Sequence, residues 1–239
     1  MNESKNQVAA KELVAEMLGS MFLVMAAVSP MIMFTEVLDA PIGVALLANA
    51  VAVAFVLCAL IEIFRRISGA HFNPVVTMVM LTEKRIGRQK AALFVTVQFA
   101  GGIIGMIISH LMFFDEVGSV LAISDNVRSG HVFIGEVFGT FILVMAILLL
   151  VKAKSSMISI IIGLLVGGQI VSTSSTMFAN PQVTVARMFT DTILGIRPID
   201  GMIFIVMQVI GALLAYLVYR FVFAKNKINN INDVEDTTI

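Results

Sequence analysis

The sequence predicts an all-α membrane protein: six transmembrane helices and two half-helices meeting at the bilayer midplane, built as an inverted repeat within a single domain, 1–239. Three observations predict it. The 239-residue chain is 59% hydrophobic and 13% charged, against roughly half apolar and a quarter charged in an ordinary soluble domain. Its apolar residues gather in runs of about 20, enough to cross about 30 Å of hydrocarbon as helix. Several short segments also recur, in the same order, in both halves of the chain.

The apolar runs cover roughly 13–34, 42–64, 91–112, 132–151, 157–177 and 201–223. Lipid cannot hydrogen-bond a backbone, so each run must be helical. The short alternating segments of a β-barrel are not visible. The first run is too long for a cleavable signal peptide, and no small-residue cleavage site follows it. The single cysteine, Cys58, excludes an intrachain disulfide and reads as packing. A net charge of zero excludes a basic nucleic-acid binder.

The placement of charge predicts topology. Lys5, Lys11, Arg65, Arg66, Lys84, Arg85, Arg88, Lys90, Lys152, Lys154, Arg220, Lys225 and Lys227 all fall on one side of the predicted spans. The opposite loops hold Arg128, Arg187 and Arg197 beside Glu36, Asp39, Asp115, Glu116, Asp125, Asp191 and Asp200. Positive residues stay on the cytoplasmic side. Both termini are therefore expected inside, in a multi-pass protein of the cell membrane.

The repeat justifies the inversion. Ala15-Glu16-Met17-Leu18-Gly19-Ser20 in the first span matches Gly135-Glu136-Val137-Phe138-Gly139-Thr140 in the fourth. Phe72-Asn73-Pro74-Val75-Val76-Thr77 matches Ala179-Asn180-Pro181-Gln182-Val183-Thr184, and Gln98 with Gly101 in the third span answers Gln208 with Gly211 in the sixth. The halves run about 12–115 and 130–224, leaving 225–239 as an expected flexible tail. Three spans per half is an odd number, so the second half enters the membrane upside down, and such folds place their pathway at the midplane between halves.

Each Asn-Pro precedes a short apolar run, 75–82 and 182–190. About ten helical residues rise about 15 Å, half the hydrocarbon thickness. Pro74 and Pro181 suit the first helical position, which makes Asn73 and Asn180 N-caps with amides free to meet a passing molecule. Each helix N-terminus carries about half a positive charge. Two of them facing one point attract a water or hydroxyl oxygen and repel a cation, and they turn flanking waters in opposite directions.

These residues carry a resemblance. Ser68-Gly69-Ala70-His71-Phe72-Asn73-Pro74, with the second Asn-Pro and the paired Glu- and Gln-containing spans, resembles the aquaporin and glycerol-facilitator family over nearly the whole chain. The resemblance implies passive conduction of small uncharged solutes through each subunit of a homotetramer in the lipid bilayer, with no cofactor and no catalysis. The run Asn180 to Arg187 resembles the bacterial branch linked to arsenic resistance, which implies water, glycerol, and neutral arsenite or methylated arsenicals as candidate solutes.

The sequence departs from that family at three points. The residues after the Asn-Pro pairs are Val75 and Gln182, where most members have alanine. Gln182 either bonds a facing loop carbonyl or turns into the pore. Three residues after Asn180, where the family usually has arginine, stands Val183. A gapless count puts the remaining filter positions at Val53, Gly168 and Met177, a surface without fixed cation or aromatic ring. Such a filter lacks a multidentate donor and is expected to be wide and apolar. Arg187 lies two turns from Asn180 and is a candidate replacement; an i,i+4 ion pair with Asp191 is the simpler account.

Other polar residues have two readings each. Glu16 and Glu136 lie at membrane depth, where ionisable groups are functional candidates. They either couple transport to protons or brace the loops, with Gln98 and Gln208 bracing alongside. Glu62 is expected to pair with Arg65 or Arg66. His71 is a candidate pore-lining residue, by pH gating or plain hydrogen bonding, and His110 and His131 are expected at interfaces. No spacing suggests a metal site. A proton-coupled secondary transporter and a closed-pore structural homologue remain the alternatives to a channel.

Overall fold

The computed structural model describes residues 8–224; the expected tail and Lys5, Lys225 and Lys227 lie outside them. Every regular element among the described residues is helical: α1 (Ala10–Ile32), α2 (Ile42–Phe64), α3 (Pro74–Thr82), α4 (Arg88–Met112), α5 (Phe114–Val117), α6 (Val132–Lys152), α7 (Ile158–Ser172), α8 (Pro181–Arg187) and α9 (Pro198–Val218). One wider-wound π turn continues α1 over Met33–Val37, and another continues α9 over Tyr219–Phe223.

Five of these helices are long and apolar enough to cross a membrane; the fifth expected span, α7, is a shorter apolar helix that stops at Ser172. The expected span runs on to Met177, across Ser172-Thr173-Ser174-Ser175-Thr176, but the helix does not. Thr173 is extended, and Thr176, Met177 and Ala179 take positive φ values of 58°, 42° and 46°. The second half-helix is likewise shorter than expected, ending at Arg187.

The repeat is visible in the packing. Helix α1 packs on α4 and α6 packs on α9, and the same small residue permits both crossings. A Cβ on Gly101 would lie 2.3 Å from the carbonyl of Met17, and one on Gly211 would lie 2.3 Å from that of Val137. No side chain fits at either distance, so glycine alone allows these backbones to meet, as in close membrane helix pairs. Helix α2 packs on α7 and joins the halves. The outward surfaces are apolar: Phe55 is 66% and Phe138 65% exposed, which suits lipid or another apolar partner rather than water.

Candidate pore and filter

Each half-helix lies between two spans that end on the same face: α3 follows α2 and precedes α4, and α8 follows α7 and precedes α9. The two therefore start near the middle of the molecule and run outward in opposite directions. We call the face holding Ala10 and Ala224 the near face.

The local chemistry of each start is the same. Asn73 and Asn180 are extended residues whose side-chain oxygens accept the N–H of Val75 (2.9 Å) and Gln182 (3.2 Å). That is N-capping with proline at the first helical position. With its oxygen committed, each amide NH2 points away from its own helix. Asn73 Nδ2 donates to the Ala179 carbonyl (2.8 Å) and Asn180 Nδ2 to the Phe72 carbonyl (2.9 Å). The two starts are thus cross-bonded. Each NH2 has two protons, so each retains one for the cavity that both residues line.

The loops leading to the two asparagines are strained alike. Ala70 and Phe72 have φ values of 53° and 46°, and Met177 and Ala179, at matching positions, 42° and 46°. Left-handed backbone costs a non-glycine residue about 1–2 kcal/mol. The buried carboxylates hold this backbone in place. Glu16 accepts from Ser68 Oγ (2.6 Å), the N–H groups of His71 (3.0 Å) and Phe72 (2.8 Å), and Gln98 Nε2 (2.8 Å). Glu136 accepts from the N–H groups of Phe178 (2.8 Å) and Ala179 (2.8 Å) and from Gln208 Nε2 (2.7 Å). Hydrogen bonds to a charged group contribute about 1.5–3 kcal/mol each, enough to outweigh two strained residues in the first loop and, with Thr176, three in the second. Gln98 and Gln208 also donate to Thr77 and Thr184, which tie each half-helix to its brace.

A cavity of about 150 Å³ runs past these groups, room for roughly ten waters, which is far larger than a packing defect. Its lining extends from Arg65 and Ile158 at the near face, past Asn73 and Asn180, to Arg187 at the far face. Irregular backbone at membrane depth is tolerated where it lines such a space. His71 lines the near half, its Nδ1 3.1 Å from Thr77 Oγ1 and its ring edge-on to Phe94.

The structure places the remaining expected residues as follows. Val53, Met177 and Val183 line the cavity. Gly168 does not: it is exposed, with open space where a Cβ would stand. From α7 the lining comes instead from Ile158, Ile162, Val166 and Ile170, one residue per turn. The gapless count fails because α7 ends early and the loop after it takes up the difference. Gln182 turns away from the pore. It is 1% exposed, its Nε2 lies 3.4 Å from the Phe72 carbonyl, and its Oε1 fills the space beside Gly102, 2.1 Å from where a Cβ would sit.

Arg187 does not pair with Asp191, because α8 ends at Arg187 and the i,i+4 relation does not exist. Its Nη2 donates to the carbonyl of Ala27 (3.0 Å), and its guanidinium lies 4.1 Å from the centre of the Phe178 ring. Glu62 pairs with Arg65 (2.8 Å) and also accepts from Ser159.

His110 was expected at an interface but is buried, bonding the Val120 carbonyl (2.8 Å) and Thr190 Oγ1 (2.9 Å). It belongs to a far-face network that sequence reasoning missed. In it Asp200, 3% exposed, accepts from the Arg128 N–H (2.9 Å) and from Arg197 (3.0 Å). Burial lowers the pKa of Arg128. The signal available was Asp200 itself, an acid in the first turn of an apolar helix.

Two facing half-helices, an inverted repeat and a continuous lined cavity define a multi-pass membrane channel. The family model described as "Major intrinsic protein" matches residues 3–179, and the chain belongs to that family, whose members are channels and not enzymes. It is 38% identical over 209 residues to aquaglyceroporin AqpS of Rhizobium meliloti (strain 1021), covering 87% of this chain and 88% of that one. It is 26% identical to aquaporin-4 of Notomys alexis, over 89% of this chain and 67% of that protein. The X-ray structure of the aquaglyceroporin from Plasmodium falciparum superposes with a TM-score of 0.69 at 16% identity, covering 89% and 96% of the two chains, which is a likeness of fold.

Proposed function

We propose that this chain is a passive channel for uncharged solutes bulkier than water: glycerol and neutral metalloid acids such as undissociated arsenite or methylated arsenicals. The observation that carries this reading is the apolar lining where the family's filter is expected. Val53, Ile170, Met177 and Val183 line the cavity, and none of the four carries a hydrogen-bonding side chain. A guanidinium there would occupy space and demand acceptor oxygens; valine does neither. The likeness to an aquaglyceroporin over most of the chain supports the same solute class.

A channel is favoured over a proton-coupled transporter because Glu16 and Glu136 are fully occupied as hydrogen-bond acceptors of the pore loops. Taking up a proton would break bonds that hold the pore open. The lined cavity also speaks against a closed structural homologue. The distribution of Lys and Arg supports cytoplasmic termini, with the far mouth outside the cell. The exposed apolar faces suit assembly into a homotetramer with a pore in each subunit.

Stopped-flow uptake in proteoliposomes tests the filter. Wild type is expected to pass glycerol and arsenite. Val183→Arg is expected to cut both at least tenfold while retaining water flux. Water permeability in the wild type with no uptake of either solute would overturn the wide-filter reading.

A further inference from the structure

We propose that Arg187 is the cation barrier of this channel, a fixed positive charge set one helical turn outside an aliphatic filter. The proposal rests on the pore reading above, but not on which solutes the filter admits.

Residues 183 and 187 are four apart on α8 and share a face. Both line the cavity, Val183 nearer the middle and Arg187 at the far mouth. Arg187 is 4% exposed. Among the described residues no carboxylate pairs with it, and its Nε and Nη1 find no hydrogen-bond partner. Three of its five N–H donors are therefore unsatisfied. Among the described residues the one carboxylate that acts on it, Glu136, does so through space and not by direct pairing, and a buried charge left without a direct partner is expensive, so its retention calls for a purpose.

Two contacts fix its position. The face of Phe178 lies under the guanidinium, which offsets part of the desolvation cost. Nη2 reaches across from the second half of the chain to the Ala27 carbonyl of α1. Pro30 lies in the same turn of α1, and its missing N–H leaves the Ala26 carbonyl without its helical donor; the Asn49 amide, turned to face them, donates to the carbonyls of Ala26 and Ala27, so Arg187 shares Ala27 with it. Arg187 thus reaches from α8 to α1 along the lining of the far mouth.

A second guanidinium adds to the field. Arg128 lies 5.4 Å from the same Phe178 ring, and it too has no carboxylate partner among the described residues. Arg187 stands on the lining and Arg128 behind it, two cations set against the one Glu136 carboxylate that acts on both, and the two helix N-termini follow at the midplane. In a low-dielectric passage such charges act strongly on an entering ion. A cation is turned back before it reaches the filter. A neutral solute carries no net charge for this field to repel. The cation barrier has been moved outward, so the constriction can be wide without admitting ions.

The test is sodium and proton leak in proteoliposomes holding wild type, Arg187→Leu, Arg187→Gln or Arg187→Lys, each first shown by size-exclusion chromatography to assemble as wild type does. Arg187→Leu and Arg187→Gln are expected to raise the cation leak at least tenfold, and Arg187→Lys to stay near wild type. Glutamine keeps a donor for Ala27 and stands in if the leucine variant does not assemble. Two results would overturn the proposal: neutral variants no leakier than wild type, or a lysine variant as leaky as the glutamine one. A wild type that passes water but no glycerol would sink the wide-filter reading and leave the leak comparison intact.

Discussion

Gln182 shows how one side chain can depend on one missing atom elsewhere. Its amide carbonyl occupies the space where a Cβ of residue 102 would stand. Gly102→Ala is therefore expected to destabilise the protein by about 2 kcal/mol, in the usual range for overpacking. Adding Gln182→Ala should restore most of that loss, as the next nearest obstacle is a backbone oxygen at 3.3 Å. Thermal unfolding in detergent of the two single variants and the double variant checks this. At this scale the sequence was legible only in part. Asn73 and Asn180 could be placed because Asn-Pro before a half-length apolar run has a local physical meaning. Gln182 could not be placed, since its direction depends on Gly102 in another helix. Arg187 was misassigned to Asp191 because a spacing of four residues means contact only while the helix continues.

The two pore loops are held open against their own backbone preference. Positive φ at Ala70 and Phe72, matched at Met177 and Ala179, persists because Glu16 and Glu136 collect the N–H groups that this geometry exposes. Glu16→Gln replaces an acceptor oxygen with a donor that faces other donors. It is expected to cost about 3 kcal/mol, as for breaking a buried charged network, and to abolish glycerol flux. Glu16→Asp, which keeps the acceptor, should recover part of both. Denaturant unfolding and flux on the same preparations would show it. Most elements were readable from hydropathy and from the repeat. The break in α7 was legible but passed over: the helix ends at Ser172, where Ser172-Thr173-Ser174-Ser175-Thr176 begins. Hydroxyl side chains also occur inside membrane helices, so 157–177 was read as one span.

The whole molecule is two similar halves that complete one passage. If conduction is passive, glycerol should equilibrate without accumulating, at a rate unchanged by a proton gradient across the liposome; accumulation would restore the transporter alternative. Native mass spectrometry is expected to show four copies in mild detergent. The inverted architecture was legible from the repeated Glu, Asn-Pro and Gln positions, which carry the braces and caps. The register of the filter was less so, as it depends on where a helix stops.

The cross-bonding of the loops also bears on the order of events during synthesis. The Phe72 carbonyl is held by Asn180 and Gln182, and the Asn73 amide by the Ala179 carbonyl, all more than a hundred residues later in the chain. Until the ribosome has delivered that second segment, the first loop has its own brace, Glu16 with Gln98, but not its opposite number, and the passage lacks half its wall. The nascent protein is therefore expected to leave the host bilayer sealed until the second Asn-Pro has been made and inserted.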